Sequence, residues 1–489
     1  MDYAPDWSIH TPGVLTQVND LVPTVNDTYL TSAPPVRTVG TPGAEVLGGA
    51  LVRNTAGAGR MYAGTRVGLY EWNAGGASWT DRDGGTTYST QTAGFWCFAQ
   101  FGDACIAANG HSVLQAATGG NFADIAGAPR AKIVFEHENA LIALNAVGNT
   151  DGWYRSDTGD YTQWSANASN GVDSGDLYGG IGGPITAGCS WQNLAIAWKA
   201  SAMYGGIRVD DVDEIIRWQK ISSDVGCVGQ YAHIATEVGI IFVSDRDILL
   251  FDGSKPRSIA DKVRRSFLRA SYGNRAGIFL THDESERCVY FWIPVAGSAY
   301  PVAAYVYNYK TGKWGYLSGI SESVNVHSYL RCPLANANHS DYSDIVLNGA
   351  TKTNDYSQVN AAFVETGVLV NFGHNDSTTL RRSTAKPTLT TGYSGSPLQD
   401  QTTRRLVVVS ETTNPVNPEF ASVTGLKPGM SLLGGNVVRT AAVNEFGSAD
   451  VAATDRFFSA FVRWPGTGVA RQEVKDVQIE FQPVAGGKR

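Results

Sequence analysis

Short apolar runs separated by turn residues dominate this chain, and the clearest example lies between residues 226 and 260. Three runs rich in Ile, Val and Phe occur there, at 231–235, 240–244 and 248–251. Polar or Gly-containing turns separate them at 237–239 and 245–247. Each run is too short for a helix of ordinary length, and branched and aromatic side chains suit a pleated surface. The stretch therefore predicts an antiparallel β-meander.

Units of the same kind recur along most of the chain. Taking one apolar anchor from the later strand of each unit gives Tyr70, Leu114, Trp153, Tyr204, Leu250, Tyr307 and Val346. An outer aromatic follows five of these anchors, at Trp79, Phe122, Trp164, Trp218 and Trp314. The spacing is typical of propeller blades, whose sheets cover one another's apolar faces. We predict an all-β fold with a β-propeller of about six or seven blades over residues 36–365. The alternative is a series of β-sandwiches with accidental spacing.

The two ends of the chain depart from this rhythm. Residues 1–35 contain five prolines and little periodicity, which predicts an N-terminal extended arm that closes a barrel or reaches a neighbour. Residues 366–489 contain strand-like runs joined by long polar segments, which predict a C-terminal β-sandwich-like domain. Long loops on such a scaffold commonly carry partner contacts.

One stretch, 258–272, has a helical pattern. Its apolar residues Ile259, Val263 and Phe267 recur every four positions, with Asp261 near the start. The same stretch holds the most basic patch of the chain, formed by Lys262, Arg264, Arg265 and Arg269. We take these four residues as candidate contacts for DNA or for an acidic neighbouring subunit. The alternative is a solvated face on a helix packed between blades.

The net charge and the composition limit the kinds of partner that we expect for this chain. The formal net charge is −7, with 45 acidic against 38 basic residues, which argues against a protein that grips nucleic acid tightly. An acidic lining would still suit a conduit, because it repels phosphate weakly and lets DNA slide. No apolar run is long enough for a membrane helix, and the N-terminus lacks the pattern of a secretion signal. We therefore expect assembly inside a cell. The six cysteines stand singly, which predicts buried thiols.

The search for chemistry favours a protein that is not an enzyme. The eight histidines are scattered, and neither a nucleophile elbow nor a phosphate loop occurs. Pro184 closes the Gly-rich stretch 178–184 where a helix would have to begin, so that stretch is interpreted as a loop. The acids at 210–214 do not have the spacing of a calcium loop, and those at 283–286 fit a hairpin turn. We expect no catalytic residue, no metal and no cofactor.

One enzymatic alternative stays open. Residues 156–164, SDTGDYTQW, resemble a stretched Asp-box of the sialidase-type propeller glycosidases. That box marks a hairpin and not the catalytic centre, which would need converging arginines and a tyrosine with an acidic partner. A propeller that binds or hydrolyses host glycans is therefore the second hypothesis.

Five stretches together resemble the tail-nozzle proteins of short-tailed bacteriophages, also described as packaged-DNA stabilisation or tail accessory proteins. They are 60–82, 94–110, 183–206, 224–259 and 305–317. Residues 462–481 are similar only in pattern. No short catalytic signature is part of the resemblance, which depends on the order and spacing of these pieces.

The resemblance implies a structural virion protein that is assembled in the host cytoplasm. It implies a self-assembled ring of six copies below the portal and adaptor, which retains packaged DNA and conducts it out at infection. The implied partners are other copies of the chain, the adaptor or head-to-tail connector, tail fibre or spike proteins, and genomic DNA that passes through the lumen without sequence-specific binding. Segments 171–184 and 390–404 are our candidates for loops that gate such a lumen.

Overall fold

The computed structural model describes most of the chain up to residue 317 and separate segments beyond it. Up to 317, the gaps are 12, 32–35, 39–41, 43–45, 56–58, 74–77, 89–94, 168–169, 178–181, 210–213, 285 and 295–300. After 317, the described segments are 326–331, 369–373, 380–381, 388–391, 393–395, 401–410, 418, 420–426, 436–443, 448–455, 457–464 and 473–483.

The N-terminal segment contributes five short strands. They are β1 Asp2–Tyr3, β2 Val14–Asn19, β3 Val22–Pro23, β4 Tyr29–Leu30 and β5 Val36–Thr38. None of them pairs with blade 1, the sheet that follows in sequence; they join sheets completed by residues more than 300 positions later. The segment is therefore extended, as its prolines predict, but it forms part of two distant units.

Six four-stranded antiparallel sheets follow in chain order, and each is a propeller blade. Blade 1 contains β6 Val46–Arg53, β7 Gly59–Thr65, β8 Leu69–Asn73 and β9 Ser78–Asp81. Blade 2 contains β10 Cys97–Phe101, β11 Ala104–Ala108, β12 Gln115–Ala117 and β13 Ala123–Asp124. Blade 3 contains β14 Ala131–His137, β15 Ala140–Ala146, β16 Asn149–Arg155 and β17 Asp173–Asp176. Blade 4 contains β18 Ile185–Trp191, β19 Leu194–Lys199, β20 Met203–Arg208 and β21 Ile216–Ser222. Blade 5 contains β22 His233–Thr236, β23 Gly239–Val243, β24 Ile248–Phe251 and β25 Arg257–Ser258. Blade 6 contains β26 Phe279–Asp283, β27 Cys288–Pro294, β28 Pro301–Asn308 and β29 Lys313–Leu317.

A seventh sheet closes the ring. It orders β30 Val326–Arg331, β31 Leu369–Gly373, β5 and β32 Leu380–Arg381, with β31 parallel to β5. Its innermost strand β30 lies beside the innermost strands of blades 6 and 1, β26 and β6. The protein is thus an all-β, seven-bladed propeller with a second β domain. The predicted fold class is confirmed, and the alternative of successive sandwiches is wrong.

Most of the predicted anchor residues lie at equivalent positions in the blades. The anchors Tyr70, Trp153, Tyr204, Leu250 and Tyr307 all lie in the third strand of their blade. Leu114 immediately precedes a third strand, and Val346 lies outside the described residues. Second strands such as β23 and β27 are buried at every position, because neighbouring blades cover both of their faces. The outermost strands β13, β17 and β25 are mostly exposed.

Two further sheets form the C-terminal domain. Its own strands are β33 Thr388–Thr391, β34 Ser394–Gly395, β35 Gln401–Ser410, β36 Phe420–Leu426, β37 Asn436–Ala441, β38 Ser448–Asp455, β39 Phe457–Arg463 and β40 Glu473–Pro483. One sheet has the order β1-β2-β33-β39-β36-β37, with β34 also on β39, and the other β3-β4-β40-β35-β38. Leu15, Leu406, Val423, Phe458 and Val474 share the core between them. A β-sandwich is therefore present, and four strands come from the N-terminal segment.

These pairings change the predicted domain limits. Blade 7 takes β31 and β32 from beyond residue 365, and the sandwich takes β1 to β4 from the segment 1–35. Parts of both candidate gate segments, 178–181 and 396–400, lie outside the described residues. Residues 173–176 form the outermost strand of blade 3, and residues 390–391, 394–395 and 401–404 lie within sandwich strands.

The single α-helix of the described chain, α1, spans Arg264–Ala270, and a 3₁₀ turn, Arg275–Gly277, leads from it to blade 6. The predicted start at 258 was wrong. Arg257 and Ser258 extend the sheet of blade 5, and the Ile259 N–H still donates to the Ile248 carbonyl at 3.1 Å. Sheet pairing thus outweighs the helical pattern over the first residues.

Candidate functional site: the basic helix and its contacts

The helix α1 is held on the propeller by its predicted apolar face. Phe267 is fully buried, with its ring centroid 5.4 Å from that of Tyr305 and 6.1 Å from that of Phe291, both in blade 6. Ile259 and Val263 are buried beside it. Since this face is occupied by blade 6, the charged residues of the helix lie on the outside.

The first turn of α1 is capped by the N-terminal segment. Val263 stands at the N-cap position and offers no side-chain hydrogen bond. Asp6 accepts hydrogen bonds from the Arg265 N–H, from the Ser266 N–H at 3.1 Å and from the Ser266 hydroxyl at 2.6 Å. A carboxylate at this end satisfies free N–H groups and complements the helix dipole. The sequence prediction gave this place to Asp261, which lies before the helix begins.

Lys262, the first of the four candidate residues, is engaged within the protein. Its Nζ donates to Asp2 Oδ2 at 2.9 Å and to the Gly312 carbonyl at 3.1 Å, and it lies 5.7 Å from the ring centroid of Trp7. Its side chain is 15% exposed. Lys262 therefore joins the N-terminal segment to the β28–β29 hairpin.

The other three candidates face solvent. Arg264 is half exposed and lies 3.4 Å from Asp247 Oδ2. Arg265 and Arg269 are exposed and form no ion pair within the part of the chain that the structure describes. We define the basic edge as the exposed bases of blades 5 and 6 and the helix between them: Arg246, Lys255, Arg257, Arg264, Arg265, Arg269 and Lys310. The structure thus brings three predicted residues into a wider basic surface.

A second set of contacts anchors the N-terminal segment to blade 6. The Tyr29 hydroxyl donates to the Trp314 carbonyl at 2.9 Å, and burial raises the pKa of this phenol. Lys313, whose side chain is 6% exposed, lies 3.0 Å from Asp27 Oδ1 and also donates to the Asp27 carbonyl. The Cys288 thiol donates to the Pro23 carbonyl at 3.1 Å. Sequence reasoning missed these contacts because no local pattern links residues more than 250 positions apart.

The propeller axis is crossed by a contact between blades that are not neighbours. The Tyr231 hydroxyl, just before blade 5, donates to the carbonyl of Trp96, just before blade 2. The Tyr231 ring also meets Phe95 edge to face, with centroids 6.0 Å apart. Gln230 Nε2 donates to the Lys132 carbonyl in blade 3 at 3.3 Å. These contacts join the inner parts of blades 2, 3 and 5.

The Asp-box-like stretch is a hairpin that braces blade 3. Asp157 Oδ1 accepts the N–H groups of Thr158 and Gly171, both at 2.7 Å. The buried Arg155 donates to the Gly171 carbonyl and to Thr158 Oγ1. Trp164 Nε1 donates to the Tyr161 carbonyl at 2.8 Å. Each of these groups is used within the hairpin and its neighbouring loop.

The remaining predicted features are placed as follows. Cys97, Cys105, Cys227 and Cys288 are buried and Cys189 is half-buried, all as free thiols, whereas Cys332 lies outside the described residues. Burial raises the pKa of the Cys105 thiol. Asp210, Asp211 and Asp213 also lie outside the described residues, and Glu214 pairs with Arg217 at 2.8 Å. Asp283, Glu284 and Glu286 belong to the β26–β27 turn and its strand end, as predicted.

Two features are absent from the described residues. These residues contain no group of three or more His, Cys, Asp or Glu side chains placed to hold a metal ion. Within the same residues, no helix has the length and apolar character needed to cross a bilayer.

Comparison with known proteins gives likeness at the level of structure only. No family model and no curated protein matches this chain. Among solved structures it is similar to YCF48 from Cyanidioschyzon merolae, with 11% identity, a TM-score of 0.37, and coverage of 62% of this chain and 94% of that one. It is similar to YCF48 bound to D1 peptide, with 12% identity, a TM-score of 0.37, and coverage of 63% and 92%. The computationally designed Ika8 protein gives 12% identity, a TM-score of 0.35, and coverage of 55% and 73%. The fold assignment therefore depends on the strand pairing described above.

Proposed function

We propose that this chain is a structural subunit of the tail nozzle of a short-tailed bacteriophage, without enzymatic activity. In this proposal six copies form a ring below the portal and adaptor, retain the packaged DNA and conduct it out at infection. The adaptor and the tail fibre or spike proteins are the neighbouring components, and assembly takes place in the host cytoplasm. The resemblance of the five propeller stretches is the starting point.

The observation that supports this role best is the fixed attachment of the sandwich to the propeller. Asp6 caps α1, Lys262 pairs with Asp2, and Lys313 pairs with Asp27. Tyr29 is buried and bonded to blade 6. A subunit of a pressurised conduit has to transmit force between its two ends, and these polar contacts together with a buried core shared by the two domains suit that demand.

The proposed mechanism is physical and involves no covalent step. Ring closure sets the lumen, and a net negative charge repels the phosphate backbone so that DNA slides without sticking. Loops that move on contact with the host would open the path. Residues 173–176 of the candidate gate segment 171–184 form an outer strand, and residues 178–181 of it lie outside the described residues.

The test is negative-stain imaging of the purified protein with and without a phage portal–adaptor complex. We expect extra ring-shaped density below the adaptor, and none when the portal is supplied without the adaptor. A protein that remains unbound to the complex but binds or hydrolyses host glycans as a monomer would instead support the glycan hypothesis.

A further inference from the structure

The charge of this propeller is divided between two sides. From residue 97 to 176, which spans blades 2 and 3, nine residues are acidic and three are basic. From 233 to 317, which spans blades 5 and 6, eight are acidic and eleven are basic. Blade 4, between them, has four of each in residues 185–222. The modest net charge of the chain conceals this separation.

Five of the nine acids of blades 2 and 3 are exposed and form no ion pair with a residue that the structure describes, whereas the half-buried Asp151 lies 3.1 Å from Lys199 Nζ. We define the acidic edge as the exposed acids of these blades: Asp103, Asp124, Glu136, Asp160 and Asp176. All of them bond neutral donors; Asp176, for example, accepts from Asn149 Nδ2 at 2.6 Å and Glu136 from the Asn139 N–H at 2.7 Å. A neutral donor leaves the full negative charge in place, so this edge presents an uncancelled negative field.

The basic edge shows the opposite imbalance, and a smaller one, because blades 5 and 6 and the helix expose these seven bases and five acids, Glu237, Asp245, Asp252, Asp261 and Glu284. Of its members, Arg257 and Arg264 lie near acids of the same blade, at 3.7 Å from Asp252 and 3.4 Å from Asp247. Arg246, Lys255, Arg265, Arg269 and Lys310 form no ion pair with any residue that the structure describes. Their charges are available to a partner.

The topology places the two edges on opposite sides of the disc. Blades follow one another in chain order around the axis, since the innermost strands of successive blades lie side by side, as β6 does with β10, β10 with β14 and β22 with β26. Blades 2 and 3 are separated from blades 5 and 6 by blade 4 on one side and by blades 7 and 1 on the other. A copy of the chain therefore offers a negative surface on one side and a positive surface on the other.

Exposed apolar side chains accompany both edges. Tyr272, two residues after α1, is 76% exposed, and Val147, in the β15–β16 turn of blade 3, is 52% exposed. Charged residues around an exposed aromatic or aliphatic side chain are typical of protein interfaces, where the apolar group supplies affinity and the charges supply register and association rate.

We infer that the partner of the basic edge is the acidic edge of a second copy of this chain. The two surfaces differ, so the contact is head-to-tail and leaves one edge of each kind free for the next copy. This inference rests on the proposed nozzle function, because it assigns the surfaces by which the ring would form. It also explains how an acidic protein associates with itself despite a net charge of −7.

The experiment reverses the charges of each edge separately. One variant carries R265E and R269E on the basic edge, and the other D124K and D176K on the outermost strands of blades 2 and 3. The control, R217E with K220E, makes the same change of charge as the basic-edge variant, on the exposed outermost strand of blade 4. Association is measured by mass photometry and sedimentation velocity at about 0.03 M and about 0.5 M salt, since screening shortens charge attraction severalfold over that range.

We expect wild-type protein to form oligomers that weaken with salt, and each edge variant to raise the apparent dissociation constant at least about tenfold. The control should stay within about threefold of wild type. The fourfold variant R265E/R269E/D124K/D176K should regain association, and an equal mixture of the two edge variants should form complexes that neither forms alone. Circular dichroism confirms folding, and R265Q with R269Q provides a milder change if an edge variant unfolds.

Edge variants that behave like the blade 4 control would overturn the inference, and so would a fourfold variant that stays as weak as either edge variant. A wild-type protein that is monomeric at low salt and on the adaptor would overturn it as well. The proposed function fails separately. A salt-sensitive, edge-dependent oligomer that ignores the portal–adaptor complex would retain the inference and remove the nozzle role.

Discussion

Blades 5 and 6 differ from blades 2 and 3 in what covers them. The core of blades 5 and 6 is continuous with the sandwich, since Phe242 and Trp314 belong to the same buried cluster as Leu15 and Phe458. Blades 2 and 3 pack around a separate cluster that includes Ile133, Leu144 and Trp153. One side of a nearly symmetric propeller is thus a platform for a second domain, whereas the buried residues of blades 2 and 3 do not belong to the shared cluster. The repeats form the blades, and the contacts of the N-terminal segment place the sandwich beside blades 5 and 6.

The largest expected effect comes from replacing a buried tryptophan on each side. Trp314→Ala and Trp153→Ala should each destabilise the protein by about 3–5 kcal/mol, because both remove a large buried ring. Only Trp314→Ala should also speed hydrogen exchange in the sandwich strands β35 and β40, since that ring belongs to the shared cluster. Urea unfolding and hydrogen-exchange mass spectrometry measure the two effects. Equal exchange in the sandwich for both variants would contradict the proposed platform.

Acid should weaken blade 5 through His233. The Nδ1 atom of this half-buried side chain is buried without a hydrogen-bond partner, and its ring centroid lies 5.0 Å from that of Trp198. Burial lowers its pKa from 6.5 to about 4. Between these values the unfolded chain binds the proton more readily, so stability is complete above pH 6.5 and falls as the pH drops toward 4. At about pH 4.5 the loss is about 2 kcal/mol.

The measurement compares urea unfolding at pH 7 and pH 4.5 for wild type and His233→Phe, which should lose less stability on acidification. His137 in blade 3 is the matched residue, because burial also lowers its pKa while its Nδ1 bonds Ser190 Oγ at 2.9 Å. A variant His233→Phe with the full acid sensitivity of the wild type would show that another group is responsible.

Removing the distant cap should have a smaller effect. Asp6→Ala leaves the first N–H groups of α1 without their acceptor and should cost about 1 kcal/mol, with faster hydrogen exchange in the helix. Asp160→Ala on the acidic edge is the control, because that carboxylate serves only an exposed turn. If both substitutions change helix exchange alike, the N-terminal segment does not cap α1 in solution.

The smallest expected change in stability distinguishes two of the four candidate basic residues, one exposed and one partly buried. Arg269→Ala should change the free energy of unfolding by less than about 0.5 kcal/mol, since its side chain is exposed and unpaired in the described chain. Lys262→Ala should cost about 1 kcal/mol, because it removes the partly buried pair with Asp2. Thermal and urea unfolding of both variants test this order, and a reversed order would mean that Lys262 is not a structural contact.

Much of the propeller was predictable, because a blade is a local object. The hairpins 157–159 and 310–312 place Gly159 and Gly312 at φ values of 78° and 70°, a conformation that glycine adopts without steric cost. Short runs between such turns have to form adjacent antiparallel strands. The same reasoning located the apolar face of α1 and the buried cysteines.

The features that sequence missed all depend on pairing between distant residues. Nothing near Val14 indicates that β2 pairs with β33, and nothing near Val36 indicates a parallel partner at Leu369. The sequence around Asp6 indicates only an acidic residue in a proline-rich arm, although Asp6 caps a helix 259 positions later. The division of charge between opposite blades was equally hidden, because it appears only once the blades are placed around an axis.

The insertion of β5 into the seventh blade bears on how the polypeptide acquires its structure during translation. Blades 2 to 6 can form as soon as each has left the ribosome, whereas β5 has no strand partner until synthesis has passed residue 369, and β2 and β4 lack β33 and β40 until later still. Until then β5 is an unpaired strand and β2 and β4 are open edges, which are prone to pair with other chains. A nascent chain stalled before this point should therefore depend on chaperones far more than one released at full length.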